Sequence, residues 1–199
     1  MKKFNVMAVV VVCLVALTGM TLAGESNAKL SVAPYLGLGY SAFEDQEDAA
    51  SSFPVGLQGF YKINDNFLVS AVMEYSAGKF EFEYDRISDA GIKFKYKTSQ
   101  NILGLNAHYV LPIPTLDPFI GAGLGLYTGK SEVSGKDYDY KTAIGFNINT
   151  GVLYNLNSHM DVMGQFVYHF VSRKMDVSGA KSYGMNNWAI HLGVRIHLF

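Results

Sequence analysis

Apolar and polar residues alternate with period two along nearly the whole chain from Leu30 onward, the repeat of a strand rather than of a helix. In "LSVAPYLGLGYSA", Leu30, Val32, Pro34, Leu36, Leu38 and Tyr40 share one face, while Ser31, Ala33, Tyr35, Gly37, Gly39 and Ser41 share the other. Seven further runs repeat the pattern, at about 53–63, 67–84, 93–111, 118–128, 142–155, 160–170 and 188–198. Eight strands are therefore predicted. Their connections alternate in length. Asn64–Asn66, Pro112–Asp117 and Asn155–His159 read as tight turns, whereas Glu44–Ser52, the tip of the second hairpin, Gly129–Tyr140 and Val171–Asn187 read as long loops. Short turns at one end and long loops at the other suit a transmembrane barrel with its turns in the periplasm and its loops outside the cell.

The buried face decides between that barrel and a soluble one. In "PFIGAGLGLYT" the less apolar face carries Phe119, Gly121, Gly123, Gly125 and Tyr127, with no charge to meet water. Glycines suit the crowded inside of a narrow barrel better than a solvated surface. The apolar face carries aromatics near both ends: Tyr61, Phe67, Tyr109 and Tyr154 beside the short turns, and Tyr40, Phe53, Tyr75, Tyr168 and Trp188 beside the long loops. Two such girdles flanking aliphatic residues match the interface belts of a membrane barrel. The fold class expected is all-β, an eight-stranded antiparallel up-and-down transmembrane β-barrel.

The N-terminus changes the picture of compartment. "MKKFNVMAVVVVCLVALTGMTLAG" places two lysines before an apolar run from Val6 to Leu17, too short to span a bilayer, and then small residues up to Ala23. Residues 1–23 read as a signal peptide and 24–199 as the barrel domain, with Ala28 offering a second cut. Removing 23 of 199 residues leaves 176, with 14 basic against 17 acidic residues, a formal net of −3. No basic surface for nucleic acid follows. The single cysteine, Cys13, leaves with the signal peptide, so disulfide and thiol chemistry leave with it.

Candidate chemistry lies in two places. The stretch "KFEFEYDRISDAGIKFKYK", Lys79 to Lys97, mirrors its charges. Folded as a hairpin it is expected to set Glu81 opposite Lys97, Glu83 opposite Lys95 and Asp85 opposite Lys93, with Phe80, Phe82, Tyr84, Phe94 and Tyr96 on the other face. The same register would pair Tyr75 with Leu103 and Ala71 with Ala107. Inside the barrel fall Gln58, Lys62, Glu74, Asn106, His108, Asn147, Asn149, Asp161, Gln165, His169, His191, Arg195 and His197. An antiparallel pairing that opposes Asp161 and Arg195 also opposes Gln165 and His191, predicting an interior ion pair. Eight strands leave room for little but their own side chains, so porin-like conduction is not expected. The histidines lack metal-ligand spacing. His169 and Ser172 are close in sequence but make a weak nucleophile–base pair. Neither an enzyme nor a cofactor is expected.

The signal peptide, eight strands, "PFIGAGLGLY" and the ending "WAIHLGVRIHLF" resemble the small eight-stranded outer-membrane β-barrel proteins of Gram-negative bacteria, the OmpA/OmpX type. Phe199 departs from that pattern, lying one step out of phase with the face of Trp188, Ile190, Leu192, Val194, Ile196 and Leu198. The resemblance implies a monomer exported through the periplasm to the outer membrane, in contact with lipid and lipopolysaccharide, whose loops and long hairpin meet host or other cell-surface molecules. A role in envelope integrity stands beside surface contact, and the alternative is a barrel that binds or passes a small apolar ligand beneath the hairpin aromatics, ahead of a lipid-modifying outer-membrane enzyme.

Overall fold

The computed structural model describes residues 29–43, 49–84, 92–133, 135–174 and 182–198. The proposed signal peptide, Asp85 and Phe199 lie outside them. Eight strands follow in chain order: β1 (Leu30–Phe43), β2 (Ala49–Asn64), β3 (Phe67–Tyr84), β4 (Ile92–Val110), β5 (Leu116–Val133), β6 (Lys136–Asn157), β7 (Met160–Lys174) and β8 (Ser182–His197). Each pairs antiparallel with the next, and β1 pairs with β8, closing the barrel. Closure leaves no unpaired edge through the barrel wall, the condition for a sheet to cross lipid.

Period two sorts the side chains as the alternation requires. Leu38, Leu103, Leu105, Ile120, Leu124 and Ile144 point outward and are exposed, Ile144 at 75%. In water such a band would be untenable; in hydrocarbon it is the stabilising surface. The girdles close both ends of it: Phe67 packs edge-on against Tyr109 at 5.3 Å near the short turns, and Tyr40 stacks on Trp188 at 5.0 Å near the other end. Inside, the lower lumen is packed by Ala33, Tyr35, Phe60, Leu68, Val110, Phe119, Leu153 and Met163. The glycines of β5 make room for this filling. A Cβ on Gly123 would collide with the Leu105 carbonyl oxygen and with Asn106 Oδ1.

The strands outrun the predicted ones. Gly129–Tyr140 was expected as a long loop, but β5 and β6 stay paired from Gly129–Tyr140 to Val133–Lys136, and Gly135 turns the chain at φ 83°. Apolar residues give out there while period two persists: Lys130 and Glu132 share a face on β5, as do Asp137 and Asp139 on β6. Strand likewise replaces the expected loop at Ala49–Ser52 and at both ends of Val171–Asn187.

Candidate functional site: the raised sheet and the sealed lumen

Pairing of β2 with β3 stops at Ser51–Lys79, and pairing of β6 with β7 stops at Gly145–Val171. The strands between continue, β3 with β4 to Tyr84–Ile92 and β4 with β5 to Tyr96–Val133. A four-stranded sheet therefore rises above the barrel wall. Its outer edges, Phe80–Tyr84 of β3 and Lys136–Ile144 of β6, have no neighbouring strand among the described residues. Unpaired strand edges expose a row of backbone donors and acceptors.

The hairpin register needs correction. Glu81 is opposite Lys95, not Lys97, and Glu83 is opposite Lys93, not Lys95. Farther down, Tyr75 faces Asn101 and Ala71 faces Leu105 rather than Leu103 and Ala107. The whole ladder is two residues from the expected register, a slip that returns every side chain to the same face and so leaves the alternation unchanged. Lys97, which now faces Lys79, has its ammonium 2.9 Å from Glu132 on β5. That partner satisfies Lys97 without help from β3, and Lys130 meets Asp139 at 3.3 Å one strand over. Phe80 falls opposite Tyr96 and Phe82 opposite Phe94, so the aromatic positions oppose one another across the ladder.

At the short-turn end Asp161 lies opposite Arg195, and Gln165 opposite His191. Asp161 is 1% exposed. Its Oδ2 accepts from Arg195 Nε at 2.6 Å, from Arg195 Nη2, and faces His197 Nε2 at 3.0 Å. Sequence reasoning placed His197 inward but did not join it to this cluster. The Arg195 guanidinium also lies 5.8 Å from the Phe60 ring centroid, an added cation–π contact. These groups line a vestibule of about 410 Å³ at the short-turn end. Lys62 was expected inside the barrel. It lines the same vestibule at its rim, opposite Leu68 and partly exposed at a register shift beside the turn, where it holds Asp65 at 2.8 Å and depresses the Asp65 carboxyl below its ordinary range.

Higher up, side-chain amides and hydroxyls bridge the lumen. Gln58 donates to Ser70, which meets His108 Nε2 at 2.8 Å, while Asn147 donates to Asn106 and Asn149 to Asn147. Tyr35 donates to Glu74 at 2.8 Å, a partner absent from the sequence reading although both residues fell on the inward face. Above them Tyr127 meets His169 Nδ1 at 2.8 Å. His169 points inward whereas Ser172 is exposed on the opposite face of β7, so the two form no nucleophile–base pair. No group of three or more metal-ligating side chains occurs among the described residues. Between the two ends the lumen narrows to a cavity of about 20 Å³.

A closed, side-chain-filled barrel with an apolar belt outside defines a small outer-membrane β-barrel protein. The chain belongs to the outer membrane protein beta-barrel domain family, whose model matches residues 9–195, and the protein resides in the outer membrane. Among solved structures it is similar to Neisserial surface protein A, at 20% identity and a TM-score of 0.60, over 88% of this chain and 99% of that one. It is similar to OprG from Pseudomonas aeruginosa at 13% identity and a TM-score of 0.60, over 87% and 97%. Ail, the attachment invasion locus protein of Yersinia pestis, matches at 11% identity and a TM-score of 0.50, over 85% and 99%. At these identities the likeness concerns the fold. No curated protein matches the sequence.

Proposed function

We propose that this barrel is a non-enzymatic, monomeric surface-interaction protein, anchored among outer-membrane lipid and lipopolysaccharide, whose raised sheet engages host or other cell-surface molecules. The observation that carries this reading is the sheet itself: four strands continue beyond the barrel wall, and its two outer edges have no neighbouring strand among the described residues. An edge of that kind accepts an extended partner segment through backbone hydrogen bonds, with side chains on alternate faces supplying selectivity. The hairpin residues Glu81, Glu83, Lys93, Lys95 and Lys97, with Phe80, Phe82, Tyr84, Phe94 and Tyr96 on the other face of the sequence alternation, form the contact surface; Asp85, expected to join them, lies outside the described residues. A similar fold in a protein named for attachment and invasion supports the reading. Passage of a small apolar ligand through the lumen is disfavoured by the 20 Å³ constriction. The test is adhesion. Bacteria displaying the wild type should bind host cells, and those displaying a barrel with residues 80–96 replaced by a short turn should not. Equal adhesion, with both barrels folded at the surface, refutes the proposal.

A further inference from the structure

The middle of the lumen holds a feature that surface contact does not use. Glu74 on β3 is 5% exposed, and its Oε2 accepts from Tyr35 at 2.8 Å. His191 stacks on the Tyr35 ring at 4.4 Å, which orients it toward Glu74, yet its Nε2 stops 3.4 Å from the same oxygen and has no hydrogen-bond partner. Gln165, opposite His191 in the β7–β8 ladder, is 4% exposed and brings both an amide donor and an amide acceptor to the same space. All three line the 20 Å³ cavity. A carboxylate, an amide and an imidazole nitrogen thus converge on one small space, each with bonding capacity left over, and buried polar groups in that condition call for a partner.

The size and chemistry of the space select the partner. A water molecule needs roughly 10–15 Å³ measured this way, so the cavity takes one and not two. Glu74 accepts, Gln165 both donates and accepts, and only an amphoteric molecule serves both. Of the other oxygens on this wall, Asn106 Oδ1 and Asn147 Oδ1 already accept from neighbouring amides, which leaves Asn149 Oδ1 beside Glu74 and Gln165, fewer ligand groups than the coordination shell of a bare cation takes. We propose that this cavity is a built site for a single water molecule, which donates to Glu74 and links it to Gln165 and His191. The barrel is then sealed by a hydrated polar layer between its periplasmic vestibule and its mouth.

Gly104 supplies the test. It lines the cavity, and a Cβ there comes no nearer than 3.4 Å to an atom of a neighbouring strand, so Gly104→Ala takes room from the cavity without touching the three polar groups. In the labelled barrel folded in detergent micelles, water-selective nuclear Overhauser spectra should show cross-peaks from water to the Gln165 side-chain amide protons, and Gly104→Ala should abolish them. Their absence from the folded wild type overturns the proposal, whether or not the variant folds. So does their persistence in folded Gly104→Ala. A shift of the Gln165 and His191 resonances between sodium chloride and choline chloride at equal ionic strength assigns the site to a cation instead and likewise overturns it.

Discussion

At the short-turn end of the lumen, donors from Arg195 and His197 converge on one buried oxygen of Asp161, whereas on the raised sheet charges of both signs repeat at every second position in solvent. Both regions are antiparallel ladders carrying opposite charges. Their energetics differ because of water. A buried charge that loses its partner is stranded, at about 3–5 kcal/mol, while an exposed pair contributes about 0.2–1 kcal/mol and is readily exchanged for another. Buried charge therefore fixes a register, and repeated exposed charge tolerates several. Lys97 illustrates the second case: it leaves the expected Glu81 for Glu132 on the opposite neighbour with no loss of pairing.

If the lumen is the rigid partner of the two, the largest effect should come from crowding it. Gly123→Val pushes a side chain into the Leu105 carbonyl and Asn106 and should abolish the folded, heat-modifiable band on a gel. A folded variant at normal yield would show that the β4–β5 wall yields more easily than the geometry implies. Next comes Asp161→Ala, expected to lower stability in urea by up to about 3–5 kcal/mol, less whatever water from the vestibule returns. The double variant Asp161→Ala with Arg195→Met should recover much of the loss, because no charge is then stranded. Equal stability of Asp161→Ala and wild type would remove the distinction between the two regions.

The raised sheet should respond locally. Gly135→Ala forces a side chain into the left-handed region and should weaken the β5–β6 turn by about 1–2 kcal/mol. Limited proteolysis is then expected to nick the variant near residue 135 while the membrane core stays protected. Smallest of all, Lys97→Glu sets like charges across from Glu132 at about 0.2–1 kcal/mol, and Lys97→Glu with Glu132→Lys should restore wild-type protease resistance. Failure of that rescue would mean that the pair does not steady the sheet.

Much of the barrel was legible in the chain, because lipid outside and packing inside leave period two nearly everywhere. The two faces, the three short turns, the girdles of Tyr109 and Trp188, and the glycines of β5 all follow from that alternation. The raised parts of β5 and β6 were harder to see, since polar residues at Lys130 and Asp139 look like loop once hydrophobicity falls away, even though their spacing does not change. Register in β3–β4 was hidden for a different reason: alternation repeats every two residues and cannot distinguish slips of that size. At the inward positions β7 offers one Asp, Asp161, and β8 one Arg, Arg195, so only one register joins them. Pairs such as Tyr35 with Glu74, 39 positions apart, depend on how the closed wall brings β1 across from β3, and nothing local in the sequence announces them.

The central claim is a barrel set in the outer membrane with its tall sheet outside and its short turns in the periplasm. Epitope tags inserted at Gly135 in the sheet and at Asp65 in a short turn test it directly on intact cells. Antibody should reach the Gly135 tag at once and the Asp65 tag only after the outer membrane is permeabilised. Labelling of Asp65 but not Gly135 on intact cells would contradict the account.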